Sequence, residues 1–168
     1  MALVNVIGAD AQIACMNAKC HFRFWRPVSA IDPTSVHITD GFGGTAYDDG
    51  NPNTVEQPGW RPLIQTPNHP EYPAAHGSIT GAMSEVFTAI TGTNKFDLTI
   101  PGFDPATGAM TASRTFATAD DLRDDIVNAR VWAGVHYRFS GEAGVKLGEK
   151  VARYDLSHFA KSDDKNED

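Results

Sequence analysis

A chain of 168 residues with 41% hydrophobic content is long enough to bury a core, and its formal charge of −7, with a pI near 5.2, disfavours nucleic acid and anionic membrane surfaces as partners. A mean hydropathy of −0.31, with no apolar run of about 18 residues, excludes a spanning helix. Two cysteines, Cys15 and Cys20, with no CxxC spacing or His-rich tract, indicate neither a disulfide framework nor a zinc site and are expected to be buried or semi-buried thiols.

In chain order, a helix is predicted from about Leu3 to Phe24, carrying Val6, Ile13, Cys20 and Phe24 near one face. The segment Met1 to Asp10 lacks a basic n-region and a full h-region, so no secretory leader is expected and a reducing, cytoplasmic setting is the default. Pro27 disfavours helical geometry at Arg26 and should end the helix there. A Gly/Pro/Asp-rich loop follows from about Asp32 to Tyr72, of the length that lids, binding loops and substrate walls have. A second helix is expected from about Ala75 to Ile90, stopped before Gly92. Leu98 to Ile100 and Met110 to Phe116 flank a Pro/Gly-rich turn and read as a small β-hairpin. Helices from about Ala119 to Val135, opened by a Thr118/Asp121 capping box, and from Gly141 to Phe159 complete the fold. The tail KSDDKNED is too polar to pack. The expectation is a mainly α helical bundle, one domain over residues 1–160 with a disordered acidic tail at 161–168, and a site where the helix ends converge.

Three segments carry the chemistry: KCHFRFWRP, HPEYPAAHGS and ARVWAGVHYRFS. Lys19 and Arg26 lie seven residues apart, and a helix returns to nearly the same face after about 7 residues, roughly 10 Å along its axis. Both can therefore reach one ligand, although a pair of solvated cations has the same spacing. In the third segment Leu122, Ile126, Ala129, Ala133 and His136 share a helical stripe, which makes His136 either a satisfied core histidine or a functional one. Arg130 stands about 120° round from it on an ideal helix and needs its long side chain, or a break at Gly134, to meet the same ligand. Two Arg forks and a Lys neutralise a tetrahedral oxyanion, a neutral His nitrogen can attack phosphorus or coordinate vanadium, and a second His, His76, can move protons.

Together the segments resemble the signature shared by vanadium-dependent haloperoxidases and the type 2 phosphatidic acid phosphatases, Lys-x6-Arg-Pro, Pro-Ser-Gly-His and Ser-Arg-x5-His-x3-Asp, and the flanking FWRP and GVHYRF are closer to the haloperoxidases. The resemblance implies vanadate, or phosphate in its place, bound covalently by His136 and ionically by Lys19, Arg26 and Arg130, with His76 as acid–base group. It also implies a helical bundle to which relatives add N-terminal helices, so a trimmed chain, a partner or a homo-oligomer joined through the first helix is expected.

Two departures stand out. Ala74-Ala75 replaces Ser-Gly, which removes a hydroxyl but leaves backbone N–H groups near Ala75 at a helix start, where anions bind. Ser78 regains the hydroxyl only if the turn brings it back. Ser140 stands where many relatives carry an acidic residue that orients the nucleophilic histidine. Here it reads better as an N-cap, and His136 is expected to be less basic and less firmly aligned. His69, seven residues before His76, matches the bromide-oxidising members of the haloperoxidases, though a loop histidine is also an ordinary solvated residue. Three readings stay open: a peroxidase using hydrogen peroxide and halide, bromide or iodide before chloride; an acid phosphatase acting on a phosphoester through a phosphohistidine at His136; and a non-catalytic phosphate or vanadate binder.

Overall fold

The computed structural model describes residues 2–32, 34, 53, 55–104 and 107–159. The expected disordered tail and most of the first part of the long loop lie outside these residues. Among the described residues five helices and one hairpin follow in order: α1 (Ala2–Phe22), α2 (Pro27–Ile31), α3 (Ala75–Thr91), β1 (Lys95–Phe103), β2 (Met110–Thr118), α4 (Ala119–Trp132) and α5 (Arg138–Phe159). The fold is mainly α, with the hairpin where the sequence places it. No helix among the described residues is long and apolar enough to cross a membrane.

The first helix turns a different face inward from the one the large apolar residues suggest. Ile7, Ala11, Cys15 and Lys19 are buried at a spacing of four, whereas Ile13 is 65% exposed and Cys20 and Phe24 also face outward. The reason is the neighbour: α3 and α5 come close to α1 through small residues, and Ile7, Ala11, Ala82, Val86 and Ala152 make the core. The helix also stops at Phe22 rather than at Arg26. Arg23 takes a left-handed φ of 49° and its N–H returns to the Lys19 carbonyl, which leaves Phe24 to Arg26 extended.

Backbone contact between α3 and α5 sets the centre of the bundle. A Cβ at Gly77 would lie 2.6 Å from the Gly141 carbonyl oxygen, and one at Gly148 would fall on the Ser78 carbonyl. Glycines on both helices thus let the axes approach more closely than side chains allow. Arg123 of α4 pairs with Glu85 of α3 at 3.6 Å and Glu149 of α5 at 3.3 Å, holding the third helix against this seam.

The predicted capping box opens α4: Thr118 Oγ1 accepts from the Asp121 N–H at 3.1 Å, and Asp121 accepts from the Thr118 N–H at 2.9 Å. The helix ends at Trp132, three residues short of the expected Val135, because Gly134 adopts φ 74° beneath the Trp60 ring. His136 therefore sits in the α4–α5 turn and not on the stripe of α4. The last helix begins at Arg138, so Ser140 is inside its first turn and is not its N-cap.

Candidate oxyanion site

Three helix ends, the last turn of α1, the start of α3 and the last turn of α4, meet with the turn that carries His136. Lys19 is fully buried, and its Nζ donates to the carbonyls of Pro70 and Glu71, both at 2.7 Å. Burial lowers its pKa to about 8, and the charges of Arg26 and Arg130 push the same way. Arg26, 6% exposed, reaches in from the extended link: NH1 donates to the Val135 carbonyl at 2.7 Å, while Nε and NH2 donate to the His69 carbonyl at 3.2 and 3.0 Å. Its NH2 also lies 3.2 Å from His69 Nδ1.

Arg130, in the last turn of α4, has Nε and NH2 buried with no hydrogen-bond partner among the described residues. Its charge helps lower the pKa of Lys19, Arg26, His69 and His76, which places it in the same cluster. A buried guanidinium with unused donors is costly unless an acceptor meets it. A tetrahedral oxyanion is such an acceptor, with oxygens enough for several forks.

His136 is 3% exposed, and its pKa is held down to about 4, by burial first, against the opposing pull of Glu71. It is neutral near pH 7. Its Nδ1 lies 2.6 Å from Glu71 Oε1, and Arg26 NH1 stands 3.1 Å from its Nε2. Arginine only donates, so Nε2 carries the lone pair in this arrangement.

His76, in the first turn of α3, is exposed, and its pKa is lowered by desolvation and then by Arg130, His69, Lys19 and Arg26. Ala75 is the first residue of α3 and no side chain caps that end, which leaves opening N–H groups next to His76, a residue within the field of Arg130, Lys19 and Arg26. Ser78 does not supply the missing hydroxyl. Its Oγ is buried and donates to the Ala11 carbonyl at 3.1 Å, away from the site and into the α1–α3 seam.

The structure brings Lys19, Arg26, Arg130, His136, His76 and His69 into one cluster, with Ala75 opening the helix beside it. Sequence spacing alone does less well elsewhere. It misplaces Ser140, whose Oγ reaches the Glu71 carbonyl at 3.4 Å and whose own carbonyl accepts the Ala74 N–H at 3.0 Å. It misses Glu71 altogether. His136 does have an acidic partner, so the expectation of poor alignment does not hold. The acid comes from the middle segment, and its one sequence signal is an uncompensated Glu between prolines.

A cluster of buried cations with one neutral histidine, beside the start of a helix, is a helical-bundle site whose chemistry suits an oxyanion. The family profile of the VCPO second helical-bundle domain matches residues 1–164, and the chain belongs to that family. Among solved structures it is similar to the first bacterial vanadium-dependent iodoperoxidase, at 28% identity and a TM-score of 0.66, covering 92% of this chain and 32% of that one. It shares its fold with a holo-type bacterial vanadium-dependent chloroperoxidase, at 22% identity and a TM-score of 0.54, covering 61% of this chain and 23% of that one. The chain thus spans about a third of the length of the iodoperoxidase. No curated protein sequence matches it.

Among the described residues no group of three or more His, Cys, Asp or Glu could hold a metal ion. Vanadate does not need one: an oxyanion centre asks for a single nitrogen ligand and cationic donors around its oxygens. The residues present fit it, and the unused Nε and NH2 of Arg130 are the observation that says so.

Proposed function

We propose that this domain holds vanadate and serves a haloperoxidase that oxidises bromide or iodide with hydrogen peroxide. The observation that carries the reading is Arg130, whose Nε and NH2 are buried and unused and whose charge is felt by Lys19 and Arg26. Likeness to a bacterial iodoperoxidase favours iodide, and His69, seven residues before His76, favours bromide or iodide over chloride by its resemblance to bromide-oxidising members.

In this reading Nε2 of His136 is the ligand atom, and Lys19, Arg26, Arg130 and the N–H groups at Ala75 neutralise the oxygens. Vanadate, when bound, supplies a Lewis-acidic centre that activates hydrogen peroxide toward halide. His76, neutral and at the rim, takes up and returns the protons that accompany peroxide binding.

The test is turnover of the protein with and without orthovanadate, assaying peroxide-dependent oxidation of iodide and bromide beside phosphoester hydrolysis. Vanadate-dependent halide oxidation that is lost in His136→Ala supports the reading. Hydrolysis inhibited by vanadate would replace it with a phosphatase using His136 as nucleophile, and neither activity in folded protein would leave a binding domain.

A further inference from the structure

Glu71 joins the three segments, and nothing in the motif pattern gives it a role. It is fully buried. Its N–H donates to the Phe24 carbonyl at 2.9 Å, and its own carbonyl accepts from Lys19 Nζ at 2.7 Å and from Ser140 Oγ at 3.4 Å. Its Oε1 accepts from the Tyr137 N–H at 3.1 Å and meets His136 Nδ1 at 2.6 Å, while Oε2 has no partner among the described residues. A carboxylate taken so far from water persists only where charge and hydrogen bonds compensate it. Lys19 and Arg26, both close enough to feel its charge, do that here.

The consequence falls on the imidazole. A neutral histidine carries one N–H, and the nitrogen that holds it is set by what the other atom meets. Facing His136, the carboxylate only accepts and the Arg26 guanidinium only donates. Two contacts on opposite sides of the ring therefore demand the same tautomer, Nδ1–H with the lone pair on Nε2.

We propose that Glu71 is the positioning residue of this site: it replaces the acid absent at position 140 and fixes His136 in the Nδ1–H tautomer, with Nε2 presented to the oxyanion. Position 140 changes its task accordingly. Ser140 supports the segment that bears the acid, through its hydroxyl on the Glu71 carbonyl and its carbonyl on the Ala74 N–H. The effect on anion binding rests on the oxyanion reading above, whereas the tautomer is a property of the protein alone.

The experiment is a long-range ¹H–¹⁵N correlation of the histidine rings in anion-free protein at neutral pH, with His136 assigned by its loss in His136→Ala, followed by a vanadate titration. The wild type is expected to show Nδ1–H and a bare Nε2. Glu71→Gln keeps that pattern, since the amide oxygen still accepts, while Glu71→Leu moves the proton to Nε2 or mixes the two forms. Vanadate affinity should fall at least tenfold in Glu71→Leu and less in Glu71→Gln. A wild-type ring carrying Nε2–H overturns the proposal, even if Glu71→Leu does not fold. So does a folded Glu71→Leu with unchanged tautomer and affinity. A wild type with the expected tautomer and no vanadate binding upholds Glu71 as the positioning residue and removes the oxyanion reading instead.

Discussion

Arg26 NH1 stands 3.1 Å from His136 Nε2, so a guanidinium covers the nitrogen proposed to meet the oxyanion. The same NH1 donates to the Val135 carbonyl at 2.7 Å, and the rest of the fork is held by His69. An anion bound as proposed would exchange one contact of this fork for charged oxygens while the others hold the side chain in place. A lysine has one charged centre and cannot make these contacts together. Arg26→Lys is expected to weaken orthovanadate binding by about tenfold or more, the scale of a lost bidentate charge-assisted pair. Calorimetric titration of the two proteins checks this.

In the proposed oxyanion reading, the unused donors of Arg130 make the anion a stabiliser of the fold. A ligand at about 100 times its dissociation constant adds roughly 2.7 kcal/mol, which in a chain of this size raises Tm by roughly 5–10 °C. Arg130→Gln should lose most of that increment, because two donors and the charge are gone, while its anion-free Tm is unchanged or higher. Thermal melts with and without orthovanadate read both values. An equal increment in the variant would take Arg130 out of the site.

Lys19 provides a pH signature with a definite sign. Its pKa in the folded protein, about 8, lies below the usual value of 10.5, so the folded chain holds fewer protons than the unfolded one between these limits. Stability of the anion-free protein should rise as pH climbs from about 8 toward 10.5, with no such gain below that window. Binding runs the other way: an oxyanion that does not titrate there, such as sulfate, should lose affinity above pH 8, toward about tenfold per unit once binding requires the ammonium form. Lys19→Met should abolish both slopes, as chemical denaturation and sulfate titration across this range would show.

The α3–α5 seam predicts a stability effect remote from the anion. A Cβ at Gly148 collides with the Ser78 carbonyl and closes on the Ala82 nitrogen at 2.7 Å, and both are backbone atoms that cannot turn aside. Gly148→Ala is expected to cost about 1–3 kcal/mol, the usual range for overpacking, despite the better helix propensity of alanine. Urea unfolding measures it, and a stabilised variant would mean that the seam is looser than described.

Some of this site is legible in the order of residues alone. Lys19, Arg26, Arg130 and His136 stand out because three segments together resemble the haloperoxidase signature, although each spacing alone also fits solvated cations or a core histidine. The Thr118/Asp121 cap and the break at Gly134 are local, decided within four residues of chain by hydrogen bonding and by the freedom of glycine to take φ 74°. Local preference misleads in α1, where Val6, Ile13 and Phe24 look like the inner face. The buried stripe instead runs through Ile7, Ala11, Cys15 and Lys19, because the neighbouring helices admit small side chains and leave room for one ammonium. Glu71 could not be read at all, and Ser140 reads as a cap rather than as the support it gives to Glu71. A glutamate between prolines resembles a solvated loop charge, and a serine before a glycine resembles a cap, until packing of the middle segment against α1 and α5 removes the water from both. Identity and spacing supply the charges and the candidate ligand nitrogen. Which tautomer that nitrogen takes, and which acid stands behind it, depends on contacts between residues 65 positions apart, and those exist only in the folded chain.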